Sequence, residues 1–214
     1  MAIGINYWIR NSIKNLLEMS ISKDFKTACG EWTFTGVVFD YEEPIEICQL
    51  CGKDELRYHF EIKNDITDCM LLVGSSCILK FEEIRVANDL GEFETEYSKR
   101  DRLLRSALES QRVEQFLGKL RQIYRKPLRS DDRSTMGRVG VLIKTREKLS
   151  PYDALWLTSI MKRHGYSYDN APVSICLATN ENKEQLIGLP KDFLKDMWPL
   201  LSTQQQEKYQ RLLK

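Results

Sequence analysis

Three cysteines in the first half of the chain have the residue type and spacing of metal ligands. Cys48 and Cys51 form a Cys-x-x-Cys-Gly turn, and Gly52 permits the left-handed backbone that such a knuckle needs. Cys77 follows a Gly-Ser-Ser sequence that is typical of a helix start. Because thiolates are ligands that Zn²⁺ prefers, this spacing predicts a zinc site held by Cys48, Cys51 and Cys77.

A tetrahedral zinc site needs a fourth ligand, and the sequence offers three candidates. His59 lies on the strand that leaves the knuckle, near enough to its base for the imidazole to reach the metal, and we predict it as the ligand. The alternative for His59 is an ordinary surface position on that strand. Cys29 precedes the first strand and could fold back onto the site. Cys69 ranks last because it is expected at a hairpin tip, more than ~10 Å from the base at ~3.3 Å per residue.

The residues around these cysteines predict the elements that position them. Residues 56–63 alternate between apolar and polar side chains, as a half-buried strand does, and residues 70–73 form the returning strand of a hairpin. A helix is predicted from Ser75 through Val86. Knuckle, hairpin and helix in this order are typical of a treble-clef zinc finger, here in a chain of the α+β class.

The sequence lacks the motifs of the common catalytic sites. An open fourth position on zinc would permit catalysis, but no His-Glu-x-x-His or similar pairing supplies a general base. His164 and Cys176 lack the flanking motif of a nucleophilic pair, and the apolar run around Cys176 indicates a buried thiol. There is no phosphate loop and no dinucleotide fingerprint. We therefore predict a protein that is not an enzyme.

The composition is typical of a soluble globular protein. Hydrophobic residues make up 42% and charged residues 29%, which is ordinary for that class, and no apolar run approaches the ~20 residues of a membrane span. Residues 1–22 have the spacing of an amphipathic helix, with Ile3, Ile5 and Trp8 on its apolar face, and lack a continuous signal-peptide core. We expect a cytoplasmic protein without membrane association, whose cysteines are ligands or buried thiols rather than disulfides.

The formal net charge of +1 conceals a strong segregation along the chain. Residues 1–98 carry 9 Lys and Arg against 18 Asp and Glu, whereas residues 99–148 carry 15 against 6. Such a local basic block can bind a polyanion such as nucleic acid. Equally, this basic block can pack beside the acidic half of the chain, so that their opposite electrostatic fields cancel.

A long basic amphipathic helix is predicted over residues 101–126, where Pro127 ends the helical spacing of the apolar residues. Basic residues recur on its polar face every seven positions, which places them in one stripe. This stripe could follow a nucleic-acid backbone, or it could be the solvated face of an ordinary amphipathic helix. The predicted nucleic-acid-binding residues are Arg105, Arg112, Lys119, Arg125 and Lys126.

The rest of the chain is predicted to be mainly helical. Residues 129–148 form either a mobile basic arm or a strand between helices. Ser150 and Ser202 have the sequence context of helix caps. We expect two domains, residues 1–90 with the N-terminal helix and the zinc module, and residues 91–214 with the basic helix and the helical remainder.

The zinc segment has a recognisable counterpart. The run Cys48-Gln-Leu-Cys-Gly, the strand after it and the run Val-Gly-Ser-Ser-Cys77-Ile resemble a segment of uncharacterised treble-clef zinc-finger proteins of phages and bacterial mobile elements. The resemblance covers residues 31–85 and implies an accessory protein of the bacterial or phage-infected cytosol, without implying an activity. We expect a zinc-binding accessory protein that binds DNA or RNA through its basic helix and arm. The alternative is a protein-interaction adaptor or inhibitor that presents its acidic half to a basic partner.

Overall fold

The computed structural model describes residues 7–168 and 170–213, and it combines helices with a three-stranded antiparallel sheet. The mixed helical and β character predicted from the sequence is confirmed. The chain divides into two compact units, unit 1 over Met1–Gln111 and unit 2 over Arg112–Lys214. This division falls inside a helix, later in the chain than the predicted domain boundary at residue 90.

Unit 1 contains the sheet. Its elements are α1 (Tyr7–Glu18), α2 (Phe25–Cys29), β1 (Trp32–Asp40), β2 (Tyr58–Asn64), β3 (Met70–Val73), α3 (Ser75–Lys80) and the first half of α4 (Tyr97–Tyr124). The strands lie in the order β1-β2-β3, so the predicted hairpin of β2 and β3 is confirmed. Phe60 and Ile62 of β2 are buried, as the alternating pattern requires. The predicted N-terminal helix is α1, and the part of that prediction on residues 1–6, with Ile3 and Ile5, lies outside the described residues.

The helix predicted to run from Ser75 through Val86 is shorter than expected, because α3 ends at Lys80. The chain beyond it is extended and pairs with β1: the amide of Arg85 donates to the Trp32 carbonyl at 2.8 Å, and the amide of Phe34 donates to the Arg85 carbonyl at 2.8 Å. Apolar residues at positions 84 and 86, with a polar residue between them, fit both a helix and a strand. The pairing with β1 decides between the two.

A buried arginine holds the turn between α3 and this extended segment. The guanidinium of Arg100, on α4, is 1% exposed and donates to the carbonyl oxygens of Ile78 at 2.6 Å and Ile84 at 2.8 Å. It also donates to the Phe81 carbonyl at 3.3 Å and the Glu82 carbonyl at 3.1 Å. Ile78 lies in the last turn of α3, whose carbonyls lack intrahelical partners, and Phe81, Glu82 and Ile84 follow the helix. One side chain therefore satisfies four backbone acceptors.

Unit 2 is helical in its described part. Its elements are the second half of α4, α5 (Ser130–Lys144), α6 (Pro151–Arg163), α7 (Asn180–Ile187), α8 (Lys191–Met197), α9 (Thr203–Tyr209) and the short 3₁₀ helices Trp198–Leu200 and Gln210–Leu213. The expected caps are present, since Ser150 accepts from the amide of Asp153 and Ser202 forms a capping box with Gln205. The predicted basic helix is therefore α4, which starts four residues earlier than expected and ends at Tyr124.

The arm or strand predicted over residues 129–148 is instead largely the helix α5. Met136, Val139 and Ile143 lie on one face of it and are buried in the core of unit 2. Near its start, the carboxylate of Asp132 is buried and accepts from Trp156 Nε1 at 3.0 Å. The polar residues at 129–135 are typical of a loop, but the prediction was wrong because this segment is helical and Asp132 within it is a buried acceptor.

In the described part of the chain, no helix has the length and apolar character needed to cross a membrane.

The role of Arg100 gives a stability prediction. We expect Arg100→Met to lower the free energy of unfolding of unit 1 by about 3 kcal/mol, because four carbonyls lose their charged donor in a buried site. Native-state hydrogen exchange reports this value for peptides of unit 1. The matched control is Arg102→Met on the same helix, where the side chain is exposed and we expect a change within about 0.5 kcal/mol. Equal effects of the two substitutions would contradict the assigned role.

Candidate metal centre

The first two cysteines lie on a tight turn that the backbone itself closes. The amide of Cys48 donates to the Lys53 carbonyl at 2.8 Å, and the amide of Gly52 donates to the Cys48 carbonyl at 2.8 Å. Gly52 has φ of +77°, and a β-carbon there would meet Asn11 Nδ2 at 2.9 Å. Both the backbone angle and the close approach of α1 therefore require glycine at this position.

Helix α1 fixes the knuckle from outside through two asparagines. Asn11 Nδ2 donates to the Cys51 carbonyl at 3.2 Å, and Asn15 Nδ2 donates to the carbonyls of Gln49 and Leu50, both at 3.0 Å. Asn11 and Asn15 are four residues apart and so lie on one face of the helix. This support was not predicted, although a pair of amides at helical spacing on an amphipathic helix is the signal that the sequence carries for it.

The third cysteine reaches the knuckle because the end of the hairpin is bonded to it. The amide of Gln49 donates to the Leu72 carbonyl at 3.0 Å, and the side chain of Gln49 accepts from the Leu72 amide at 2.7 Å. Gly74 follows β3 and donates its amide to Cys48 Sγ at 3.4 Å. Cys77 then lies in the first turn of α3, so its thiol is held beside that of Cys48.

The three sulfur atoms form a compact triangle. All three lie within 4.8 Å of one another, and Cys48 Sγ and Cys77 Sγ are 3.7 Å apart. Two thiolates on a tetrahedral zinc ion with Zn–S bonds of about 2.3 Å lie roughly 3.8 Å apart. The three cysteines are buried, with 1% of Cys48 and 8% of Cys51 and Cys77 exposed. This group could hold a metal ion.

The thiols differ in how readily they ionise. A hydrogen bond from the Cys77 thiol, joined by backbone N–H groups that include that of Gly74, lowers the pKa of Cys48 against the opposing effect of burial. The same hydrogen bond raises the pKa of Cys77, which is the donor, and burial raises the pKa of Cys51. The structure thus favours Cys48 as a thiolate while Cys51 and Cys77 remain thiols. A metal ion that binds all three sulfurs must displace the remaining protons.

The predicted fourth ligand does not join the three cysteines. His59 is buried, and its Nε2 lies 3.1 Å from the carbonyl oxygen of Ile47, to which it donates, while Nδ1 lies 3.3 Å from Tyr41 Oη. Both ring nitrogens are therefore engaged away from the sulfur atoms. The reason is that Ile47 and Tyr41, which precede the knuckle in the chain, provide the hydrogen-bond partners of this buried imidazole.

The two alternative ligands also lie elsewhere. Cys29 is fully buried at the end of α2, where burial raises the pKa of its thiol to about 12. Cys69 is half-buried at the tip of the hairpin, directly before β3, as the sequence indicated. Among the described residues, no fourth His, Cys, Asp or Glu places a ligand atom with the three sulfurs.

A cavity opens beside the three cysteines. Its volume is about 240 Å³, and all three cysteines line it. The other lining residues come from α1, from the chain after the knuckle and from α3; they are Trp8, Ser12, Lys53, Leu56, Gly74, Ser76, Lys80 and Phe81. The remaining coordination position of a bound metal would therefore face this cavity.

The predicted nucleic-acid-binding stripe is largely engaged within the protein. In unit 1, the exposed Arg105 donates to Asp101 at 2.7 Å. In unit 2, Arg112 and Lys119 are half-buried, and Arg112 donates to the Asn170 carbonyl at 3.2 Å. The ammonium of Lys126 lies 5.6 Å from the centre of the Tyr166 ring. The part of the stripe in unit 2 therefore meets its own unit at Tyr166 and Asn170.

Arg125 differs from the stripe residues, because it is exposed on the side of α4 that carries Arg121. The ring of Tyr124 is exposed, and the guanidinium of Arg133 lies 4.6 Å from its centre. Arg121, Tyr124 and Lys144 line one shallow groove between α4 and α5. We call the set Arg121, Tyr124, Arg125, Arg133 and Lys144 the corner patch. The corner patch was not predicted from the sequence, because it forms only if residues 130–144 are helical.

Comparison with known proteins adds no identification, since no protein-family model, curated protein or solved structure matches the chain. The interpretation of the cysteine cluster therefore depends on its geometry.

The geometry of the cluster predicts which substitutions remove metal. Cys51→Ser should abolish tight binding of one zinc per chain and unfold much of unit 1, because binding energy at such sites is also folding energy. Cys69→Ser and His59→Ala should each retain the metal, although His59→Ala should lower stability by about 1–2 kcal/mol through two lost buried hydrogen bonds. Elemental analysis after dialysis against a chelator measures the metal. Loss of zinc from His59→Ala equal to that from Cys51→Ser would restore the histidine as a ligand.

Proposed function

We propose that this chain is a non-enzymatic zinc-binding accessory protein whose basic helical unit binds DNA or RNA. The observation that carries the metal assignment is the triangle of Cys48, Cys51 and Cys77, buried and within 4.8 Å of one another. Thiolate ligands favour zinc, Cu(I) and iron–sulfur clusters over hard cations, and the spacing of the sulfurs suits tetrahedral zinc.

The surrounding elements support a treble-clef arrangement of this site. A knuckle at residues 48–52 is followed by the hairpin of β2 and β3 and then by α3, whose first turn carries Cys77. In such an arrangement zinc would tie the knuckle to the helix start. The resemblance to proteins of phages and mobile elements agrees with this proposal, and with it we propose a cytoplasmic location.

The lining of the cavity supports a role other than catalysis. A zinc-bound water becomes a useful nucleophile only with a general base nearby. Among the residues that the structure describes, those that line the cavity include no carboxylate and no imidazole. His59 donates to a backbone carbonyl, and His164 lies at the end of α6 in unit 2.

The distribution of charge between the units supports a polyanionic partner. Unit 1 carries 13 Lys and Arg against 20 Asp and Glu, a formal net charge of −7, whereas unit 2 carries 19 against 11, a net charge of +8. An excess of this size on one compact unit produces a field that attracts nucleic acid from a distance. Unit 2 is therefore the part that we assign to nucleic-acid binding.

Within unit 2, the corner patch has the chemistry of a nucleic-acid contact. Arg125 and Lys144 offer exposed positive charge for phosphates, and Arg121 adds a charge that is exposed although it pairs with Glu114 at 3.1 Å. Tyr124, 43% exposed, offers an aromatic face on which a base could stack. We propose the patch rather than the stripe, because Arg112 donates to the Asn170 carbonyl, Lys119 is half-buried and Lys126 lies against the Tyr166 ring.

An adaptor or inhibitor of a basic protein remains the second proposal, and the acidic unit 1 is the observation that favours it. Its net charge of −7 would attract such a partner. The two proposals differ in which unit makes the contact, so one set of charge-reversal variants distinguishes them.

Charge reversal on the corner patch tests nucleic-acid binding. Changing Arg121, Arg125 and Lys144 to Glu should weaken binding of a duplex DNA or an RNA hairpin at least tenfold at low salt. The slope of log K against log salt should fall by about 3, since three phosphate contacts are lost. Fluorescence anisotropy at several salt concentrations measures both values.

The matched control reverses Lys183, Lys195 and Lys208, which are other lysines of unit 2, and thus makes the same change in net charge. It should retain most of the affinity and the full salt slope. Equal losses in the two triple variants would remove the corner patch from the proposal. A wild-type protein with no affinity for DNA or RNA at low salt would exclude nucleic-acid binding and favour the adaptor.

A further inference from the structure

We propose that a small exogenous anion supplies the fourth ligand of the metal, binding in the cavity beside the three cysteines between Lys53 and Lys80. This inference rests on the zinc centre proposed above and adds the chemical class of what binds there. The ligand set is incomplete: in the described part of the chain, three thiols come together and no fourth metal-binding side chain joins them.

The cavity has room for a ligand larger than water. Its volume of about 240 Å³ greatly exceeds the ~30 Å³ that one water molecule occupies in the liquid. Cys48, Cys51 and Cys77 all line it, so a molecule inside can reach a metal held by their sulfur atoms. If one water molecule completed the coordination of the metal, most of the cavity would be filled by bulk solvent.

The walls of the cavity combine apolar surface with positive charge. Trp8, Leu56 and Phe81 supply the apolar surface, and the charged residues of the lining are Lys53 and Lys80. Both lysines are exposed, and neither has a carboxylate within ion-pair distance in the described residues. Their backbones are fixed to the site, because the Lys53 carbonyl accepts from the amide of Cys48 and Lys80 follows Cys77 by one helical turn.

The charge of the centre explains why two lysines flank it. Three thiolates and one divalent cation sum to a charge of −1, and an anionic fourth ligand brings the total to −2, or to −3 if it also carries a carboxylate. Such a complex is costly at a partly enclosed site unless opposite charge lies close by. Two ammonium groups at the cavity supply that charge, whereas a site meant for neutral water would need less of it.

The ligand class follows from these features. A small thiol that also carries a carboxylate fits both ends of the site, because its sulfur suits a thiolate-bound metal and its carboxylate can pair with the lysines. On binding, the thiol would lose its proton to solvent and its sulfur would take the fourth position beside Cys48, Cys51 and Cys77, so no oxidant or reductant is needed. Mercaptoacetate is the simplest probe with these two groups.

Cobalt substitution makes ligand exchange at the metal visible, because Co²⁺ occupies zinc sites and its visible absorption depends on the donor atoms. We expect mercaptoacetate to change the spectrum of the Co²⁺-loaded full chain saturably, with one equivalent of cobalt still bound after gel filtration. Glycolate, which lacks the sulfur, and 2-mercaptoethanol, which lacks the carboxylate, should each bind at least tenfold more weakly. Equal binding of the two thiols, or removal of cobalt by mercaptoacetate, would overturn the proposal.

Two variants locate the ligand. Lys53→Ala with Lys80→Ala should weaken mercaptoacetate at least tenfold without changing cobalt content, and the control pair Lys14→Ala with Lys23→Ala in the same unit should not. Lys80→Cys places a thiol three residues after Cys77 on the same helix face, and it should give a four-sulfur spectrum that no longer responds to mercaptoacetate. An unchanged response in Lys80→Cys would show that the anion binds away from the metal and would overturn the inference.

The outcomes separate this inference from the proposed function. A wild-type chain that binds neither zinc nor cobalt overturns both. A chain that binds cobalt through three cysteines, but whose spectrum is insensitive to mercaptoacetate, overturns the exogenous ligand alone.

Discussion

The convergence of three sulfur atoms is the constraint on which unit 1 depends. Cys48 and Cys51 can meet Cys77 only if the end of β3 lies against the knuckle, and the two hydrogen bonds between Gln49 and Leu72 hold it there. Helix α1 secures the other side of the knuckle through Asn11 and Asn15. The helix that carries Cys77 is only six residues long, so its stability must come from packing rather than from its own hydrogen bonds, and a metal bound by Cys77 would add to it.

The charged residues of the chain serve the two units in different ways. In unit 1, Arg100 is buried and bonded to four carbonyls, so it belongs to the framework beneath the cysteines. In unit 2, the buried Asp132 pairs with Arg163 and the buried Asp153 pairs with Arg138. These ion pairs neutralise part of the excess positive charge of the unit. The exposed positive surface of the corner patch is therefore smaller than the basic stripe and arm predicted from the sequence, and it lies at one place on α4 and α5.

The sequence predicted the parts of the fold that local rules determine. The Cys-x-x-Cys-Gly knuckle, the alternation along β2 and the cap at Ser150 each depend on residues close in the chain, and each is present. Where the conformation of a residue depends on partners far away in the chain, the sequence did not predict it. The segment around Arg85 is extended because β1 pairs with it, and His59 is engaged by Tyr41 and Ile47 rather than by the cysteines.

The central claim is that three cysteine sulfurs, and no fourth protein sulfur, bind one zinc ion. X-ray absorption at the zinc edge, on the full chain purified in thiol-free buffer, measures this most directly. The account predicts three sulfur neighbours at about 2.3 Å and one lighter oxygen or nitrogen neighbour at about 2.0–2.2 Å. A shell of four sulfurs in protein dialysed free of small thiols would show that another cysteine closes the site, and a well-folded chain without zinc would contradict the account altogether.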